Sequence, residues 1–177
     1  MRIQSKKIIA YGSVYLVLVA GLVFVFGELF DIEQFIGDDT VQIGNGSFHE
    51  AVKIFYNNLK NFLGYLLIYP LYPLMYIKDL IFTSWAVVVS FRMQGVKETL
   101  YLLLPHAVIE IPNFILFTYL SFLNFKSFWK EKDVTGKTYG GRIWKYRYHY
   151  LACFILLFIA GLVEGLVTKK IYGLLVN

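Results

Sequence analysis

LYLLLPHAVIEIPNFILFTYLSF, residues 100–122, decides the fold. Nearly every residue in it prefers lipid to water, yet His106, Glu110 and Asn113 sit inside it. A run of this length and apolarity reads as a membrane-crossing helix. In lipid the backbone must satisfy its own hydrogen bonds, which excludes an isolated strand. The apolar residues here also cover every face, without the strict alternation of a barrel strand. At 1.5 Å per residue, Glu110 falls about 15 Å from Leu100, near the bilayer centre. Ionisable groups at that depth are costly, so they turn toward other helices or a wet cavity.

Outward from this stretch, the chain repeats the pattern. Of its 177 residues 58% are hydrophobic and only 16% charged, well under the quarter typical of soluble domains. The expected fold is all-α: an integral membrane bundle of about five helices, forming a single transmembrane domain over residues 1–177. The spans are expected at about 8–28, 55–77, 80–96, 100–125 and 149–168. Lys78-Asp79 is read as a tight polar turn between the second and third. The first span follows Arg2, Lys6 and Lys7 and is expected to be retained, because it is long for a signal peptide. The single cysteine, Cys153, has no internal partner.

Charge orients the bundle. Residues 31–50 carry five acids and no Lys or Arg, whereas residues 126–150 carry seven Lys or Arg and two acids. Basic segments stay cytoplasmic. The N-terminus and residues 126–148 are therefore expected inside, and residues 31–50 and the C-terminus outside, of a multi-pass protein of the cell membrane. The Lys169-Lys170 pair is the one objection. The net charge of +5 reads as topology rather than a nucleic-acid footprint. Asn45-Gly46-Ser47 matches a glycosylation acceptor, a frequent chance pattern.

Helical spacing of three and four from His106 reaches Glu110, Asn113, Phe117, Ser121 and Asn124. One polar stripe thus runs down the fourth span. Pro105 and Pro112 flank its acid and predict a kinked or broken helix at His106. A hydrogen bond between Glu110 and His106, one turn away, is a further expectation. In the last span Glu164 lies beside Gly161 and Gly165, a small-xxx-small pair that admits a close helix. Depth alone places His106, Glu110, Glu164 and Glu28 in the outer half, and Glu28 reads as an ordinary interfacial acid. The amphipathic stretch 48–62 reads as an entry into the second span, held at the surface by Lys53 and Lys60. A partner-binding interfacial helix is the other reading of it.

Pro105-His106-Ala107-x-x-Glu110-Ile111-Pro112 resembles the signature of the stage II sporulation protein M family, with Ala107 in place of the usual glycine. Val163-Glu164-Gly165 is similar to that family's ending, and Asn57-Asn58 to its paired-asparagine element. The resemblance implies a multi-pass helical protein working in larger assemblies, in septal cell-wall remodelling or in export of, or immunity to, small peptides beside ABC-type ATPases.

Three functions fit the residues. The first is a non-enzymatic membrane subunit. Its partners would be the lipid bilayer and other membrane proteins, either an ABC-type ATPase or a second copy. No Gly-x-x-x-x-Gly-Lys-Ser/Thr occurs, so nucleotide chemistry would come from that partner, docked on residues 126–148. The second is a proton-coupled carrier using Glu110 and His106. The third is an intramembrane metal-dependent hydrolase, disfavoured because a catalytic metal needs about three ligands and His106 and Glu110 supply two. No catalytic residue, metal or cofactor is assigned. Asn113 and Glu164 complete the polar cluster; Pro105, Pro112, Gly161, Gly165, Asn57 and Asn58 are read as packing or kink residues.

Overall fold

A computed structural model describes residues 5–30, 47–131 and 136–168, apart from the side chains of residues 102, 104, 106, 131, 136–139 and 168. Among the described residues there is no strand. Helix α1 spans Ser5–Leu29, α2 Phe48–Leu67, α3 Tyr72–Gln94, α4 Val96–Glu131, α5 Gly136–Lys145 and α6 Arg147–Leu162. A π-helical segment, Val163–Thr168, continues α6. Among the described residues, four helical segments are long and apolar enough to cross a membrane: Ser5–Leu29, Tyr69–Gln94, Ala107–Lys130 and Arg147–Val167. Helix α2 is a fifth long helix of 20 residues.

Local chemistry sets the boundaries. Ser47 caps α2: its Oγ accepts from the Glu50 amide at 3.2 Å, and Glu50 Oε2 accepts from the Ser47 amide at 3.3 Å. This reciprocal pair satisfies two donors that a helix start leaves open. Helix α2 ends at Leu67, and a 3-10 turn, Tyr69–Leu71, leads into α3. Pro70 and Pro73 each sit at the second position of these two elements. Proline fits there because its missing donor would be unpaired anyway. Helices α3 and α4 are separated by Gly95 alone, whose φ of 87° is open to glycine at little cost.

Two expectations are corrected here. Lys78-Asp79 is no turn: both lie inside α3, and the break falls at residues 68–71, so the expected 55–77 and 80–96 segments are instead 48–67 and 72–94. Two prolines three residues apart break a helix more surely than two charged residues that pair with each other. Lys78 Nζ lies 3.0 Å from Asp79 Oδ1. Nor is the helix broken at His106: α4 runs unbroken through Pro105 and Pro112. The carbonyls freed by proline are tolerated inside a bundle where neighbours satisfy them.

Cross-contacts fix the helix directions. Tyr11 meets Tyr72 at 2.6 Å between hydroxyls, Tyr15 donates to Thr83 at 3.3 Å, and Arg92 donates to the Gly27 carbonyl at 3.0 Å. Helices α1 and α3 therefore run parallel. Helix α4 returns antiparallel to them: Ser90 meets Thr99 at 3.0 Å near one end, and Tyr72 packs on Phe122 near the other. Helices α2 and α6 are antiparallel, with Phe62 on Tyr150 and Phe55 on Phe158. The start of α1, the 69–71 turn, the end of α4 and α5 share one end of the bundle. The end of α1, the start of α2, Gly95 and residues 163–167 share the other. Residues 31–46 and 169–177, which carry the acidic loop, Asn45-Gly46 and Lys169-Lys170, lie outside the described residues.

Helix α4 is the centre, with α1 and α3 on one flank and α2 and α6 on the other. The core is aromatic: Phe62, Tyr65, Tyr72, Phe117, Tyr146 and Tyr150 are buried with Leu120, Cys153 and Leu157. Phe62 and Phe117 meet edge-on at 5.5 Å, and Phe114 and Phe117 at 5.2 Å. Each such pair contributes about 0.5–1.5 kcal/mol beyond area burial.

Candidate polar seam

The polar stripe of α4 faces the α2–α6 flank. Asn58 Nδ2 donates to Glu110 Oε1 at 2.8 Å. Asn113 is buried and donates through Nδ2 to the Cys153 carbonyl at 3.1 Å. Its Oδ1 has no partner among the described residues. Phe117 packs on Phe62 and Tyr65. Ser121 Oγ donates to the Tyr65 carbonyl at 2.8 Å, and Asn124 Nδ2 to the Tyr150 hydroxyl at 2.8 Å. The stripe thus hydrogen-bonds alternately to α2 and α6. Small polar side chains in membrane helices characteristically join neighbours in this way, at about 0.6–2 kcal/mol per bond.

Glu110 also borders the opposite flank. A cavity of about 430 Å³ lies between α1, α3 and α4, lined by Glu110, Tyr15, Thr83, Ala107 and Ile111 among mostly apolar neighbours. Asn58 is near the midpoint of α2, so its partner Glu110 is held at mid-bundle. The His106 side chain, and with it the expected bond to Glu110, lies outside the described residues; its backbone is one turn of α4 from Glu110.

Gly161 and Gly165 lie where α6 meets α2. A Cβ on Gly161 would lie 3.0 Å from Phe55 Cβ, and one on Gly165 would lie 2.6 Å from the Ala51 backbone nitrogen. Ala51 is seven residues from Asn58, about 10 Å along the helix. Glu164, next to Gly165 in the π-helical segment, is therefore roughly two turns from the level of Glu110. Residues 163–168 pack on both α2 and α4. Glu28 is exposed at the end of α1. Asn57 points outward, exposed, while its neighbour Asn58 turns inward. Within α4, Pro105 lies five residues before the acid and Pro112 two residues after it. Among the described residues no three His, Cys, Asp or Glu side chains come together as a metal would need.

Asp79 is a buried acid that sequence reasoning missed, more enclosed than the half-buried Glu110. It is 7% exposed and accepts from Asn61 Nδ2 at 3.1 Å beside its 3.0 Å pair with Lys78. Pro70 and Pro73 were the available signal: they place the helix start early enough to carry Asp79 into the bundle. Asp79→Ala leaves the Asn61 amide without its acceptor. It is expected to lower stability by about 1–3 kcal/mol, measured by thermal unfolding in detergent, with Asp79→Asn retaining most of it.

The family profile described as stage II sporulation protein M matches residues 10–169. The chain belongs to the stage II sporulation protein M family. That match runs from the first turns of α1 to the end of the π-helical segment and so includes the whole polar seam. No curated protein and no solved structure matches the chain. In this member of the stage II sporulation protein M family, the Asn-Asn element and the Pro-His-Ala-x-x-Glu element meet through the Asn58–Glu110 hydrogen bond.

Proposed function

We propose that this chain is a non-catalytic, multi-pass membrane subunit of a larger assembly, serving peptide export or immunity, or remodelling of the cell envelope. One observation carries the proposal. Glu110, Asn113, Ser121 and Asn124 of the α4 stripe each bond a neighbouring helix, through Asn58, Cys153, Tyr65 and Tyr150. Groups so engaged organise a bundle and are poorly placed to attack a substrate. Family membership supports the setting.

The cytoplasmic docking surface is α5 with the start of α6. Arg142 is buried, donates to the Tyr69 hydroxyl at 3.3 Å and lies over the Phe128 ring, which anchors α5 to the bundle. Trp144, Lys145, Arg147 and Tyr148 remain exposed beside it. An ABC-type ATPase is the partner proposed for this aromatic, basic face. Purification of the tagged full chain from its native membranes in mild detergent tests this. An ATPase is expected to co-purify, and Trp144→Ala with Lys145→Glu is expected to reduce its recovery at least tenfold. A chain recovered alone, at its own mass, would sink the assembly proposal.

The cavity beside Glu110 favours one second reading, a proton-coupled carrier. It predicts proton-coupled uptake by the purified chain in vesicles, abolished in Glu110→Gln.

A further inference from the structure

We propose that the outward face of α2 is an intramembrane docking surface for a partner transmembrane segment bearing a carboxylate, an inference that rests on the subunit reading above. Helix α2 divides cleanly. Ala51, Phe55, Asn58, Phe62 and Tyr65 turn inward, buried or half-buried, while Lys53, Asn57 and Lys60 are exposed. Spacings of four and three put the exposed trio on one face. Lys78 of α3, 49% exposed, donates to Asn61 of α2 at 3.4 Å beside this face, its charge already paired with Asp79 at 3.0 Å.

The depth of this face is what makes it informative. Ala51 lies against Gly165, Phe55 against Phe154 and Phe158, and Phe62 against Tyr150. Residues 51–62 thus lie alongside residues 150–165 of α6, inside the apolar segment Arg147–Val167. The stretch expected to enter at the membrane surface packs along α6, one of the segments apolar enough to cross a membrane. Lys60 is seven residues from the end of α2, about 10 Å, and its ammonium lies 4.3 Å over the Tyr56 ring. It is thereby drawn toward the middle of α2 and away from the nearer end. The α2–α6 contacts set Lys60 and Lys53 on either side of the middle of Arg147–Val167; bare to lipid, a lysine costs up to about 2.5–3.5 kcal/mol at the centre of a membrane helix on insertion scales, and less toward its ends. Other outward faces are apolar there: Val14, Val17 and Phe24 on α1, Phe82 on α3, and Leu151 and Phe158 on α6.

Charge selects the occupant. The exposed face of α2 carries lysines and no exposed acid; Glu50 is tied into the helix cap and Asp79 is buried. A second copy docked about a two-fold axis would set lysine against lysine. Lipid phosphates share the anionic chemistry but sit at the headgroup level, beyond the hydrocarbon. A helix with an Asp or Glu inside the hydrocarbon, level with Lys60 or Lys53, matches both the sign and the depth, in a medium where opposite charges attract strongly.

The test uses the labelled full-length chain in phosphatidylcholine vesicles at pH 8, with leucine-alanine transmembrane peptides carrying a central Glu, Leu or Lys. Energy transfer is expected to show at least tenfold tighter association of the Glu peptide than of the other two. Lys53→Gln with Lys60→Gln is expected to bring it down to the Leu level, and Lys53→Arg with Lys60→Arg to retain it. Thermal unfolding of both variants should match the parent, because these side chains face away from the core. Equal association of all three peptides would overturn the proposal. So would chain–chain transfer abolished by the same glutamines, which assigns the face to a second copy, or binding that appears only with phosphatidylglycerol present, which assigns it to lipid. A native assembly that survives the glutamine substitutions overturns this inference and leaves the subunit reading standing. A chain that never assembles in native membranes overturns the subunit reading instead.

Discussion

Gly165→Leu is expected to abolish the folded bundle. A Cβ at this position would fall 2.5 Å from Ala51 Cβ and 2.6 Å from the Ala51 backbone nitrogen. The obstruction is therefore main chain, which no rotamer change relieves. Separating the helices to make room would pull on the Asn58–Glu110 and Ser121–Tyr65 bonds that hold α2 to α4. Overpacking a core commonly costs about 1–3 kcal/mol, and a clash against a backbone held at several other points should exceed that range. The expected result is loss of a monodisperse species on size exclusion in mild detergent and no cooperative thermal transition. Gly161→Ala should be milder, because its nearest neighbour is Phe55 Cβ at 3.0 Å. Gly21→Leu is the control: nothing lies within 4 Å of a Cβ there, and the protein should be unchanged.

Glu110→Ala has the second largest expected effect. It leaves the Asn58 amide without its acceptor at mid-bundle and enlarges the adjoining 430 Å³ cavity. A buried donor stripped of its partner costs about 1–3 kcal/mol. Loss of assembly is expected with it, since α2 is positioned through this bond. Glu110→Gln keeps an acceptor and should be closer to wild type in stability. Glu28→Ala, on an exposed helix end, should change stability by no more than about 0.5 kcal/mol. The check is thermal unfolding of the three variants and of Asn58→Ala, arranged as a double-mutant cycle. A coupling of about 0.6–2 kcal/mol is expected. Equal tolerance at residues 28 and 110 would contradict the role given to the seam.

Much of the architecture was legible because apolar runs in lipid leave the backbone few choices. The spans expected at 8–28, 100–125 and 149–168 correspond to α1, α4 and α6 with its π-helical end, displaced by a few residues. The α2–α3 boundary was misplaced because Lys78 and Asp79 were read as solvated. In the structure they pair with each other and with Asn61. A pair contact of this kind does not show in hydropathy, whereas the backbone consequence of Pro70 and Pro73 does. The polar stripe was legible from spacing along α4. Its partners were not, because spacing reveals which residues share a face but not which helix that face meets. Tyr65 and Cys153 enter the seam's hydrogen bonds only through their carbonyls, and a carbonyl has no sequence signature.

Cysteine pairing across α2 and α4 tests the central claim, that the acid at residue 110 is turned into the bundle and held by α2. Asn58→Cys with Glu110→Cys is introduced in a Cys153→Ser chain, which preserves the backbone carbonyl that Asn113 uses. Oxidation in intact membranes is followed by the mobility of the reduced and oxidised chain. The expected result is near-complete intramolecular cross-linking of the 58–110 pair and almost none of the 57–110 pair. Equal cross-linking of the two pairs, or failure of the first, would contradict the account.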